Sequence, residues 1–162
     1  MSEELDEELT LFTFQSDTQV VAETPVAGFT DSWGWFERRL CRAIDDLEPQ
    51  TFLIANGPDG IYVQVARDPV CLWCEAVSEN YRPHEASALI AARLASDGWS
   101  IAGPTDDNHE AVRELPDAAG AAALLVRALH HGFGVASPSE IDVHGGSFPP
   151  GPDGGLPLHL AA

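Results

Sequence analysis

TFLIANGPDGIYVQVARDPVCLWCEAV, residues Thr51 to Val77, holds three runs rich in β-branched and aromatic residues. Gly57-Pro58-Asp59-Gly60 and Arg67-Asp68-Pro69 separate the runs, and both are turn signals. Strand-forming runs broken by short turns predict a three-stranded antiparallel meander. Alternation puts Ile61, Val63 and Val65 on one face of the second strand and Tyr62 and Gln64 on the other. In the third strand Leu72, Cys74 and Ala76 alternate with Cys71, Trp73 and Glu75. The first face reads as core. The second, mixed polar and aromatic, is expected to be only partly covered.

Before the meander, Trp33, Phe36, Leu40, Ile44 and Leu47 recur at three- and four-residue steps. That is one apolar stripe, and it predicts a helix from Ser32 to Leu47 stopped by Pro49. After the meander, Ala86, Leu89, Ile90 and Leu94 predict a second helix over His84 to Ser96, ended by Asp97-Gly98. Trp99-Ser100-Ile101 is expected to begin a short fourth strand, and Ala111 to Leu115 a fifth, at the sheet edge. Asp117 is placed to cap a third helix over Ala118 to His131, with Ala121, Leu125, Leu129 and Phe133 as its stripe and Gly132 and Gly134 as its stop. The fold class expected is α+β: a five-stranded, mostly antiparallel sheet with three helices in the order helix-β-β-β-helix-β-β-helix.

Tails flank this domain, which is expected to occupy residues 30–142. Residues 1–29 carry seven carboxylates and no basic residue, so they read as a largely disordered acidic segment. Leu11-Phe12-Thr13-Phe14 stands out within it, either as a lone sticky patch in the tail or as a strand-like segment that docks on its own domain or on a neighbour's sheet. Residues 143–162, rich in Gly and Pro, read as a second disordered tail.

The formal net charge is −18, from 26 acidic against 8 basic residues, and every basic residue is an arginine. Without a basic patch the chain is a poor ligand for nucleic acid or an anionic membrane. No apolar run approaches a bilayer span. The acidic start lacks the basic and apolar blocks of a secretory signal, which favours the cytoplasm. Three cysteines do not make a disulfide framework.

Catalytic motifs are missing. There is no nucleophile elbow, phosphate loop or dinucleotide fingerprint. Cys71-Leu72-Trp73-Cys74 has redox spacing, but it lies in an expected strand, where residues three apart point to opposite faces. Zinc there would need Cys41 and a histidine as well. His130-His131 sit about 100° apart on a helix and suit its carboxyl end better than a metal. Asp45-Asp46, Glu48 and Asp106-Asp107 lack the alternation of a calcium loop. Neither a metal nor a cofactor is expected.

Certain strings resemble the TY-Chap group within the YbjN and type III secretion chaperone-like fold. They are Ile61-Tyr62-Val63-Gln64-Val65-Ala66, Cys74-Glu75-Ala76-Val77-Ser78-Glu79-Asn80-Tyr81, Leu94 with Asp97-Gly98-Trp99, and Ala128-Leu129-His130-His131-Gly132-Phe133-Gly134-Val135. The resemblance spans about Asp31 to Asp142, and Cys71 and Cys74 stand outside it. It implies a non-catalytic, peptide-binding or chaperone-like domain, often a homodimer.

The leading expectation is therefore a non-enzymatic domain that binds a basic or apolar protein or peptide segment through an open sheet face or edge. Trp35, off the helical stripe, and Tyr62, Gln64, Trp73 and Glu75, on the less apolar face, are the expected partner-binding residues. The alternative is a small-molecule- or metal-sensing regulatory domain built on Cys71 and Cys74.

Overall fold

The computed structural model describes residues 32–147 of the 162-residue chain. Helix α1 spans Ser32–Asp45, and strands β1 (Thr51–Asn56), β2 (Tyr62–Arg67) and β3 (Cys71–Ala76) follow. Helix α2 covers Ser87–Ser96, strand β4 His109–Glu114, helix α3 Ala118–Arg127 and strand β5 Asp142–Ser147. The five strands form one antiparallel sheet in the order β4-β3-β2-β1-β5. The α+β class and the counts of five strands and three helices stand as the sequence predicts, while the order among the described residues is helix-β-β-β-helix-β-helix-β in place of the expected helix-β-β-β-helix-β-β-helix.

All three helices bury their stripes against one face of this sheet. Val63, Val65, Leu72, Cys74, Ala76, Ala111 and Val143 point into the core from the strands, and Phe36, Leu40, Ile44, Leu94, Leu125 and Leu129 meet them from the helices. Burying a side chain of this size contributes about 1.5–3 kcal/mol. The sheet is therefore held to its helices by the alternation already visible in the sequence. Arg67 secures the turn into β1 by donating from Nη1 to the Leu47 carbonyl at 2.5 Å.

Three elements differ from expectation. Trp99-Ser100-Ile101 is not a strand: only Ser100 pairs, in a single bridge to Glu110, while Trp99 turns inward and is buried. Three residues ahead of Gly103-Pro104 are too few to sustain a ladder. The fifth strand comes instead from Asp142–Ser147, so residues 143–147, expected to open the carboxy-terminal tail, pair with β1 along their length. DVHGGS has two glycines and little intrinsic strand preference; the exposed edge of β1 supplies what propensity does not. The third helix keeps its Asp117 cap, which accepts from Gly120 N at 2.9 Å, but its last turn widens into a π-type turn over Ala128–Gly132. Leu89, assigned to the stripe of α2, is half exposed. Leu11–Phe14, residues 1–29 and the rest of the carboxy-terminal tail lie outside the described residues.

Two of the recurring strings now have a physical account. Gly98 ends α2 at φ +102°, a conformation side chains rarely adopt. A Cβ on Gly132, in the turn after α3, would lie 2.7 Å from Leu94 Cδ2, so any side chain there would force Leu94 of α2 to shift. Asp97 joins the same crossing, accepting from Arg127 Nη2 at 2.7 Å.

Candidate functional site

The sheet face turned away from the helices carries two cross-strand rows, fixed by register. One runs Glu110, Glu75, Gln64, Ile54, His144; the other runs Val112, Trp73, Ala66, Phe52, Gly146. The second row is apolar from edge to edge. Phe52 lies so close over Gly146 that a Cβ there would sit 2.8 Å from the ring's Cζ. Ile54, Tyr62 and Val77 form a small second cluster on this side, and half-buried Phe52 and Phe133 pack against it.

Four of the five expected partner-binding residues share this face. Gln64 and Glu75 are cross-strand partners with Nε2 and Oε1 3.4 Å apart, Tyr62 lies two residues along from Gln64, and Trp73 two along from Glu75. They are not equally accessible. Tyr62, Gln64 and Glu75 are buried, at 8%, 1% and 1% exposure, and only Trp73 is half-buried. Trp35 belongs to the other layer, where it packs on the helix-side core with the Arg39 guanidinium 5.7 Å over its ring.

Asn108 organises the polar end of the face, and sequence reasoning missed it. Its Nδ2 donates to Glu75 Oε1 at 2.9 Å and to Tyr62 Oη at 3.0 Å, and its Oδ1 accepts from Ser78 N at 3.3 Å. Nothing in Gly103-Pro104-Thr105-Asp106-Asp107-Asn108 marks one amide as a hub. The usable signal lay across the sheet, in Glu75 to Tyr81. Ser78 Oγ donates to the Asp107 carbonyl, Asn80 Nδ2 to the Gly103 and Asp106 carbonyls at 2.9 and 2.7 Å, and Tyr81 Oη to Asp107 Oδ1 at 2.5 Å. That string exists to hold the 103–108 loop down.

The clamp sets the local electrostatics. Its hydrogen bond to Asp107 pushes the Tyr81 phenol up to about 12, and burial raises that of Tyr62. Burial, then the neighbouring Asp106 and Asp107, raises the Glu110 carboxyl. Burial lowers the pKa of His109, whose Nδ1 accepts from Ala102 N at 3.0 Å in the neutral form. All four shifts leave the neutral forms more favoured than in water.

The β4 edge is different. Glu110 spends its outward backbone groups on Ser100: its carbonyl accepts from Ser100 N at 2.8 Å and its N–H donates to the Ser100 carbonyl at 3.0 Å. By the two-residue repeat Val112 N–H also points outward, and Val112 and Trp73 form a close, non-hydrogen-bonded pair. Val112 is 53% exposed. A shallow groove of about 410 Å³ follows, lined by Val112, Arg113, Glu114, Leu115, Pro116 and Asp117.

Cys71 and Cys74 point to opposite faces, as a strand requires, and Cys74 is fully buried in the core. No group of three or more histidine, cysteine or acidic side chains is placed to hold a metal among the described residues. Burial pushes the Cys74 thiol up to about 12 and raises those of Cys71 and Cys41. A depressed pKa marks a reactive thiol, and these move the other way. Iodoacetamide at pH 8 should leave Cys74 unlabelled until denaturant is added, as read by peptide mass mapping; rapid labelling of Cys74 in the folded protein would show that its core placement is wrong.

A family model described as T3SS (YopN, CesT) and YbjN peptide-binding chaperone 3 matches residues 27–147. No curated protein matches the chain, and no solved structure does. No helix among the described residues is long and apolar enough to cross a membrane.

Proposed function

The chain belongs to the TY-Chap3 family of peptide-binding chaperones, and from that premise we propose that it holds an extended peptide segment by strand addition at the β4 edge. The observation that carries this reading is Val112: exposed, on the outer strand of the sheet among the described residues, paired with Trp73, and at the head of the groove running to Asp117. Strand addition draws affinity from main-chain hydrogen bonds and specificity from alternate side chains. Here the edge amide of Val112 supplies the first, and the Val112–Trp73 pair receives an apolar side chain. Tyr62, Gln64 and Glu75 act beneath it as a fixed floor. Glu110, Glu114 and Asp117 border the edge, so a basic or apolar segment is favoured over an acidic one. The role is non-enzymatic. Homodimerisation, from the family resemblance, and a cytoplasmic location are expectations of this reading.

Val112→Pro is the direct test. Proline on an edge strand removes an outward N–H and leaves the inward ladder intact. A pool of extended ten-residue peptides with alternating apolar and Lys or Arg positions, read by fluorescence anisotropy, should bind the wild type. Val112→Pro and Trp73→Ala should each weaken that binding about tenfold, with circular dichroism unchanged. Peptides that bind both variants as tightly as the wild type, or fail to bind the wild type, would sink the proposal.

A further inference from the structure

Alternate residues of β4 aim their main-chain groups away from β3, and the register makes these Glu110, Val112 and Glu114. Both ends of this outward row are already closed. At Glu110, Ser100 uses the N–H and the carbonyl. At the other end Asp117 N donates to the Glu114 carbonyl at 2.8 Å, where the chain turns toward α3. What remains is the N–H and carbonyl of Val112 and the N–H of Glu114. The two N–H groups have no acceptor among the described residues. The Val112 carbonyl accepts from Arg113 Nη1 at 3.0 Å, which leaves its second lone pair.

Resting on the strand-addition reading, we propose that this edge is a three-residue slot selecting the triplet basic-neutral-apolar, read from amino to carboxyl end and bound antiparallel to β4. The direction follows from the edge itself. Ser100, the residue already paired there, is bridged antiparallel. A single antiparallel residue also meets both outward groups of Val112. It gives its N–H to the Val112 carbonyl and takes the Val112 N–H on its own carbonyl. Two positions earlier, a peptide carbonyl takes the Glu114 N–H, while the N–H of that residue finds the Glu114 carbonyl already bonded to Asp117 N. The ladder ends there.

Side-chain preferences follow from the same register. The residue across from Val112 lies on the outer face, beside exposed Val112 and half-buried Trp73, and is apolar. The residue across from Glu114 shares that face and meets an exposed carboxylate, with Asp117 further along the groove, so it is Lys or Arg. The residue between them turns to the helix side, opposite Arg113, where a second cation would be repelled.

Peptides of five, seven and ten residues, each with one Arg-Thr-Leu triplet in Ser and Thr flanks, are titrated by fluorescence anisotropy at low ionic strength. All three should bind within about twofold of one another, because the edge offers a longer ladder no further groups. An N-methyl group on the Leu amide should weaken binding at least about fivefold, and the same group on the Arg amide by less than about twofold. Glu114→Arg should weaken the Arg-Thr-Leu peptide several-fold and favour Glu-Thr-Leu instead, an exchange of preference that misfolding does not produce. Affinity climbing steadily with length, equal losses from the two methyl groups, unchanged charge preference in Glu114→Arg, or tighter binding of the reversed Leu-Thr-Arg order would overturn the slot and leave strand addition standing. So would triplet peptides that fail to bind a protein that binds the alternating pool. Failure of the triplets and the pool alike would overturn strand addition, and the slot with it.

Discussion

Phe36→Ala should lower the stability of this domain by about 4 kcal/mol, the largest effect of any single truncation in α1. Phe36 is completely buried, touches Trp33 edge-on with ring centroids 5.7 Å apart, and sits in the same core cluster as Val63, Val65 and Leu125. It belongs to the one core cluster that α1, α3 and the sheet share. Alanine removes that transfer energy and leaves a cavity that β-strands on one side and a helix on the other cannot both move to fill. For a domain of this size the cost corresponds to a fall of about 15 °C in Tm. Urea denaturation followed by far-ultraviolet circular dichroism measures it. A loss below about 1 kcal/mol would mean that α1 is not packed on the sheet as described.

Asn108→Asp should cost about 3 kcal/mol at neutral pH and much less in mild acid. The substitution exchanges a donor 2.9 Å from Glu75 Oε1 for a second carboxylate, in a place where Glu75 is 1% exposed. Two carboxylates at that distance cannot both stay ionised, so the pair takes up a proton and its folded pKa rises above the ordinary value near 4. A raised pKa contributes stability below the unfolded value and loses it as pH climbs through the folded one. The variant should therefore approach the wild type as pH falls toward about 4, and separate from it steadily toward pH 7. Asn108→Ala is the control: it loses the bonds to Glu75, Tyr62 and Ser78 without adding charge, and should cost about 2 kcal/mol with a far weaker pH dependence. Thermal melts of the three proteins at a series of pH values give the comparison. Parallel pH curves for Asn108→Asp and Asn108→Ala would show that Glu75 and position 108 are not in contact.

The two substitutions probe different parts of the molecule and different kinds of legibility. Phe36 announces itself: its spacing from Trp33, Leu40 and Ile44 is a helical stripe, and such a stripe has to be buried. Asn108 does not announce itself. It lies in a run of loop-forming residues, and its importance comes from Tyr62, Glu75 and Ser78, which are distant in sequence and meet it only after β4 pairs with β3. The Glu75 to Tyr81 string was visible as a pattern, while the loop it grips was not.

From its residues alone this chain fixed its meander, its core face and its three helices, because alternation and helical period are local and one-sided burial follows from them directly. Tertiary pairing decided the rest. Asp142–Ser147 became a strand because β1 had an unpaired edge to offer, and Trp99 became core because a single bridge could not hold it in a sheet. The same holds for the surface proposed to bind a partner. Its periodicity put Tyr62, Gln64, Trp73 and Glu75 on one side, but how deeply each is sheltered depends on what lies across the face, and a strand's own sequence carries no record of its cover.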